Sequence, residues 1–349
     1  MKRNRMLKMI TLSLILCLVL SGCGKTENGS QTGREETKTQ ADSKPGTEKE
    51  NVETAVPDKT DSGQDKTDVK DASSFDLEAG TVMLNSGYEM PILGIGMFRL
   101  SQSEAENSVY WALRDGYRLI DTARIYGNEE GVGKGIQRAI DEGLVKREEI
   151  FVTTKMWTDD YDDGAAAIEA SLRKLNLDYI DLMILHHSQP ENDVDAYKAM
   201  EKAVEEGKLK SIGLSNYYEP DDFDRLVKAT EITSALLQNE THPYHQSMKM
   251  KEHLKQYGTV MESWFPLGGR GNTQRLFEDE TISDIAKAHG KTSAQIILRW
   301  HLQAGNIAIP GSSNEDHIQE NYEIFDFELT AEEMERMTAL NKDERFASY

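Results

Sequence analysis

Cysteine is absent from almost the whole chain. Of its 349 residues only Cys17 and Cys23 carry a thiol, and both lie within the first 23 positions. Whatever folds beyond them has no disulfide to support it and no thiolate for catalysis or metal binding. Two glycine patterns are missing as well. The first strand-like run gives only Gly94-Ile95-Gly96-Met97-Phe98-Arg99, so it lacks the Gly-x-Gly-x-x-Gly fingerprint of an open dinucleotide-binding sheet. Gly131-Val132-Gly133-Lys134-Gly135 lies in a helical stretch and fails the P-loop spacing, so these read as helix-start and packing glycines. Positive charge is scarce. The formal charge is −21, and because Lys2, Arg3, Arg5 and Lys8 are the only charged groups before residue 24, the remainder carries −25. An acidic domain argues against nucleic acid and against a basic membrane-docking face. His242 and His245 flank Pro243 in a loop with no second ligand pair at zinc spacing, so no metal is expected.

What is present divides by composition. Residues 1–23 begin with four cations and continue as an apolar run from Met9 to Leu20, too short to span a bilayer comfortably. Leu20-Ser21-Gly22-Cys23 follows. It resembles the lipobox of bacterial lipoproteins, which implies a signal peptide, lipidation of Cys23 and a lipid-anchored protein on the extracytoplasmic face of a bacterial membrane. Residues 24–76 are rich in Lys, Glu, Asp, Thr, Ser and Gly and cannot bury enough apolar area to offset their ordering entropy. They read as a disordered tether with an r.m.s. span on the order of 40 Å. Residues 77–349 have the composition of one globular domain, near the ~250 residues of a (β/α)8 barrel.

Within that domain, Thr81 to Leu84, Asn85-Ser86-Gly87 and Tyr88 to Met90 read as a hairpin. Apolar β-rich runs follow at 92–96, 118–121, 151–154, 179–185, 211–214, 235–238, 259–264 and 306–309. Helical periodicity marks 101–115, 129–142, 161–175, 195–206, 219–229, 246–257 and 280–289, with a last helix at 330–340. Trp111, Leu113, Leu172, Leu175, Leu226 and Ile285 fall on the apolar faces. Eight strands joined by helices predict an α/β fold with a parallel sheet closed as a TIM barrel, capped by the N-terminal hairpin.

Catalytic residues of such barrels come from the carboxyl ends of the strands. Asp121 ends the second strand run, Lys155 the third and His186 the fourth, and Tyr126 follows Asp121 by five residues. Each alone has a bland explanation, as helix cap, strand-end charge, core histidine or loop aromatic. Together, at three successive strand ends, they predict one site. A tyrosine beside a lysine and a carboxylate can act as an acid near neutral pH, and a histidine beside it can hold a carbonyl.

These residues, with Leu-Asn-Ser-Gly-Tyr-Glu-Met-Pro-Ile-Leu-Gly-Ile-Gly at 84–96, Ile-Gly-Leu-Ser-Asn-Tyr at 212–217, Gln-Asn-Glu-Thr-His-Pro-Tyr at 238–244 and Ile-Pro-Gly-Ser-Ser-Asn at 309–314, resemble the aldo-keto reductase family over about residues 81–345. The likeness is to the branch that holds diketogluconate reductases and similar microbial enzymes. It implies NAD(P)H-dependent reduction of aldehydes or ketones to alcohols by a monomer acting on small molecules. Tyr126 would be the general acid, Lys155 would lower its pKa by stabilising the phenolate, Asp121 would fix Lys155, and His186 would orient the substrate oxygen. Ser215, Asn216 and Gln238 match positions that hold the nicotinamide carboxamide, and Trp264 the aromatic that stacks under the ring. Leu267 and Gly268 begin the loop that wraps the pyrophosphate, and Glu320 and Asn321 match adenine contacts.

The family often carries Ile-Pro-Lys-Ser with an arginine six residues after the lysine, both gripping the 2′-phosphate of NADPH. This chain has Gly311 and His317 there, which weakens the expected preference for NADPH over NADH, although Ser312, Ser313 and Asn314 can still bond a phosphate. His187 and Ser188 replace the usual Trp-Pro, so His187 and Trp157 are candidate substrate walls. Few residues follow the last helix, which suggests an open pocket. A redox-silent, membrane-tethered binding protein on the same fold is the alternative. A barrel glycosidase is disfavoured because no second carboxylate is obvious across from Asp121. Export without a twin-arginine pair leaves the supply of cofactor as the open conflict.

Overall fold

The structure is a computed structural model that describes residues 75–348. The signal segment 1–23 with Cys23, and residues 24–74 of the proposed tether, lie outside the described residues. Strands β1 (Phe75–Asp76), β2 (Thr81–Met83) and β3 (Glu89–Pro91) form a small antiparallel sheet. The predicted hairpin is therefore present, and two residues assigned by composition to the tether add a third strand to it. At its turn, Asn85 Nδ2 donates to Ser234 O (3.1 Å) and Tyr257 O (3.2 Å), and the Ser86 and Ser211 hydroxyls lie 2.7 Å apart. Those partners sit at or just before the starts of three barrel strands, so the hairpin covers the barrel's amino end.

The barrel strands are β4 (Gly94–Gly96), β5 (Leu119–Asp121), β6 (Phe151–Met156), β7 (Ile180–Leu185), β8 (Leu209–Ser215), β9 (Leu236–Glu240), β10 (Val260–Trp264) and β11 (Asn306–Ala308). Each pairs in parallel with the next. Closure is made by a parallel bridge between Leu93 and Ala308 and by Gly96 N–H donating to Pro310 O (3.1 Å). All eight strands lie where the alternation of apolar runs predicts them. β6 and β7 are buried along their whole length, as expected of strands covered on both faces.

Helices α1 (Gln102–Asp115), α2 (Glu129–Asp141), α3 (Gly164–Leu175), α4 (Asp193–Glu205), α5 (Pro220–Lys228), α6 (Met248–Leu254), α7 (Thr273–Phe277), α8 (Glu280–His289), α9 (Ser293–Gln303), α10 (Glu315–Tyr322) and α11 (Ala331–Thr338) surround the sheet. Ser101 and Glu104 form a capping box at the start of α1, and Gly116 ends it at φ 113°. Leu113, Leu172, Leu175, Leu226 and Ile285 are buried as predicted, and Trp111 packs partly buried against the same core. Helices α7, α9 and α10 were not foreseen. Nine of the eleven residues of α9 are buried, so it has no polar stripe and shows no helical period. In α10 only Ile318 and Asn321 are buried, too few to mark a face. No helix among the described residues is long and apolar enough to cross a membrane.

Candidate active site

Three strand ends and the turns after them bring the predicted tetrad together. Asp121 is the last residue of β5, and Lys155 lies one residue before the end of β6. Lys155 Nζ is 2.6 Å from Asp121 Oδ1, 2.8 Å from Thr122 O and 3.3 Å from the Tyr126 hydroxyl. Tyr126 closes a single 3₁₀ turn, Arg124–Tyr126, that is pinned on both sides. Asn128, buried, donates to Met97 O and Leu100 O and accepts from Thr122 Oγ1, while Gln102 Nε2 donates to Gly127 O. Gly127 takes φ 68°, which lets the chain leave the turn for α2. His186 follows β7, with its ring edge-on to Tyr126 at 5.7 Å between centroids.

The electrostatics follow from burial. Lys155 is fully buried, which pulls its pKa down, but the charges of Asp121 and Tyr126 overcome this and hold it above its ordinary value. Burial pushes the Asp121 carboxyl up against the pull of Lys155. His186 is driven well below its ordinary pKa by burial, then by the Lys155 charge and by His187, so its imidazole is neutral at pH 7. Its Nδ1 is buried with no protein partner. A neutral imidazole can donate one hydrogen bond to a substrate oxygen without competing for the proton.

A second carboxylate does lie near Asp121, contrary to expectation. Glu262 in the middle of β10 is fully buried. Gln238 Nε2 donates to Asp121 Oδ2 (2.9 Å) and to Glu262 Oε1 (3.0 Å). The two acids share one amide inside the barrel and do not face each other across a cleft, so the arrangement is not a glycosidase pair. The signal was there: period two along Val260-Met261-Glu262-Ser263-Trp264 puts Glu262 and Trp264 on one face.

A cleft of about 870 Å³ opens over these residues. Asp121, Tyr126, Trp157, His186, His187, Ser215, Asn216, Gln238, Trp264, Leu267, Ser312, Glu320 and Asn321 all line it. Trp157 stands edge-on to both histidines, at 5.0 Å from His186 and 5.2 Å from His187, which stack on each other at 5.2 Å. Asn216, at φ 62°, donates to His186 O and to Ser215 Oγ, tying β7 to β8 as well as facing the cleft. Two predicted residues do not line it: Lys155, which is fully buried, and Gly268. Gly268 makes the turn at φ 81°, and a Cβ there would meet Leu276 and Phe346. Its neighbours Gly269 and Arg270 face the cleft instead, as do Phe98, Arg99 and Phe265, none of which the sequence singled out. Among the described residues, none beyond Asn321 lines the cleft.

The donor set fits a nicotinamide dinucleotide. A hydroxyl and two amides, Ser215, Asn216 and Gln238, suit a carboxamide, and the indole of Trp264 offers a flat wall. Gly268, Gly269 and Gly271 all take positive φ, which turns the loop backbone tightly beside Arg270. At the far end Gly311 approaches the backbone oxygen of Gly96 so closely that a Cβ would sit 2.8 Å from it. Ser312, Ser313 and His317 form the rim there.

The comparisons agree with this geometry. The model of the Aldo/keto reductase family matches residues 79–342. Glyoxal reductase of Bacillus subtilis is 43% identical over 268 residues, covering 76% of this chain and 94% of the relative. NAD(P)H-dependent D-xylose reductase I,II of Candida tropicalis is 38% identical over 304 residues, covering 76% and 94%. The structure of a Bombyx mori aldo-keto reductase in complex with NADP superposes with a TM-score of 0.72 at 36% identity, covering 77% of this chain and 94% of that one. The chain belongs to the aldo/keto reductase family and is an NAD(P)H-dependent oxidoreductase of carbonyl compounds.

Proposed function

We propose that the protein reduces small aldehydes and dicarbonyls, with Tyr126 as the proton donor. The observation that carries this reading is the fully buried Lys155 ammonium, held 2.6 Å from Asp121 and 3.3 Å from the Tyr126 hydroxyl, with Asp121 and Tyr126 lining one cleft. When bound, the reduced nicotinamide supplies the hydride. The protein's own work is to place the carbonyl oxygen between Tyr126 and His186, to deliver the phenolic proton to it, and to stabilise the phenolate left behind through Lys155. Asp121 keeps Lys155 in place. Trp157 and His187 wall the substrate side, and the open mouth suits compact polar substrates, in line with the glyoxal and xylose reductases among the relatives and with a place in the diketogluconate-reductase-like branch.

At the adenine end the loss of two fixed cations, at Gly311 and His317, supports use of NADH alongside NADPH. We place the protein at the outer face of a bacterial membrane, anchored through lipidated Cys23, because the cations, apolar run and small residues before that cysteine fall in lipobox order. Globomycin treatment of the expressing bacterium, with mass analysis of the N-terminus, tests the anchor; an unmodified Cys23 overturns it.

The catalytic reading is tested by oxidation of NADPH and NADH with glyoxal, methylglyoxal and simple aldehydes. Tyr126→Phe should lower turnover by about 10²–10⁴-fold while leaving cofactor binding intact. Turnover that survives the substitution would remove Tyr126 from its role.

A further inference from the structure

Glu262 is a fully buried acid that the reaction as drawn does not use. It is the direct ladder partner of Gln238, and one amide nitrogen binds it and Asp121 together. Its second oxygen, Oε2, is buried with no protein partner. A structural carboxylate in this position would be expected to hold a cation or several N–H groups, as Asp181 does with Arg147, Lys210 and the Val152 N–H. Glu262 has one amide.

We propose that Glu262 is a positioning residue of the carbonyl reduction: it fixes the Gln238 amide against Asp121, and its charge state sets the field at Lys155 and Tyr126. The inference rests on the reductase reading. The groups that face Glu262 are Asp121 from β5, Lys155 from β6 and Gln238 from β9, with Tyr126 beyond Lys155. On its other side β11 contributes Asn306, Ile307 and Ala308, none of them titratable. Burial, followed by the nearby Asp121 charge, pushes Glu262 up to about 8, so it is mostly neutral at pH 7. While neutral, it leaves Asp121 as the one negative charge on Lys155. Once ionised, it sets a second negative charge beside the ammonium. Lys155 then holds its proton harder, its field at the phenol weakens, and Tyr126 gives up its proton less readily.

Glu262→Gln keeps the shape and cannot ionise. In single-turnover reduction at saturating cofactor, the wild-type rate should fall about threefold or more between about pH 7 and pH 9, while the variant stays flat over the same range. Superimposable profiles would overturn the proposal. Thermal unfolding of the protein without cofactor gives a readout independent of activity. Folded Glu262 retains a proton that the unfolded chain has released between pH 4.5 and about 8, so wild-type stability falls across that window relative to the variant. Parallel melting curves would equally overturn it. Glu262→Met, which can neither ionise nor bond Gln238, should share the flat profile and bind NADPH more weakly by fluorescence titration; undiminished binding would remove the role in fixing Gln238. Absence of wild-type turnover would remove the reductase reading and this inference together, whereas turnover with an unmoved profile removes this inference alone.

Discussion

Single residues at strand ends carried most of what the sequence made legible about the site. Asp121, Lys155 and His186 stand out because each is a polar residue terminating an apolar run, and a barrel directs all such ends to one mouth. Glu262 escaped because a lone acid inside an apolar strand marks no boundary, and Gly268 was misplaced by one position because a glycine-rich loop has no period to set its register. Lys155 is the residue whose loss should be felt furthest. Lys155→Met would leave Asp121 buried without its cation, destabilising the fold by about 3–5 kcal/mol, measurable as a lower urea midpoint together with lost turnover. At the far end of the cleft, restoring one cation tests cofactor choice. Residue 311 is a poor place for it, because any Cβ there meets the Gly96 oxygen at 2.8 Å. His317 is exposed on α10 and free to change. His317→Arg should raise affinity for NADPH relative to NADH by about tenfold, through a charge-assisted bond to the 2′-phosphate; an unchanged ratio of dissociation constants would show that the phosphate is bound elsewhere.

Whole elements were legible where one face is dry and the other wet. Helices α1 to α5 show this contrast, and their bounds agree with the periodicity to within a few residues. Helix α9 does not, because it is enclosed on nearly every side. Helix α2 shows a further constraint that sequence suggests but cannot prove. Its glycines at 131, 133 and 135 press against the backbones of Gln102, Leu175 and Glu106, so α2 packs on α1 and α3 with no room for a methyl group. Gly133→Ala should therefore cost about 1–3 kcal/mol despite the better helix propensity of alanine. Denaturant unfolding decides the sign, and a stabilised variant would show that the contact with Leu175 relaxes freely. The same packing bears on the site, since α2 begins directly after the turn that presents Tyr126.

At the scale of the molecule, the two ends of the described chain both brace the barrel. At the mouth, buried Glu240 of β9 accepts from the Phe346 N–H (2.5 Å) and the Ala347 N–H, pairs with Arg345 (3.4 Å), and lies 3.1 Å from His242 Nε2. Phe346 stacks on His242 at 4.1 Å, and Arg275 binds Glu344. No periodicity foretells this, because residues 339–348 form neither helix nor strand. Burial alone would raise the Glu240 pKa, but His242 and the tail N–H groups outweigh it and hold the acid below 4.5. The linked stability is therefore present above the unfolded value of 4.5 and is lost as pH falls through the lower folded value. Deleting residues 342–349 should destabilise the fold by roughly 3 kcal/mol at neutral pH by stripping Glu240 of its donors, and the deficit should shrink in acid. A deficit that does not change with pH would place the effect in Phe346 packing instead. The tail also orders events in time. A chain emerging amino end first can pair β4 with β5, and each later strand with its predecessor, yet β4 keeps a bare edge until β11 arrives and Glu240 stays without most of its donors until residues 345–347 are made. Residues 306–310 must emerge before the ring can close, and until then the growing protein presents an open, apolar-faced sheet that must be kept from pairing with its neighbours.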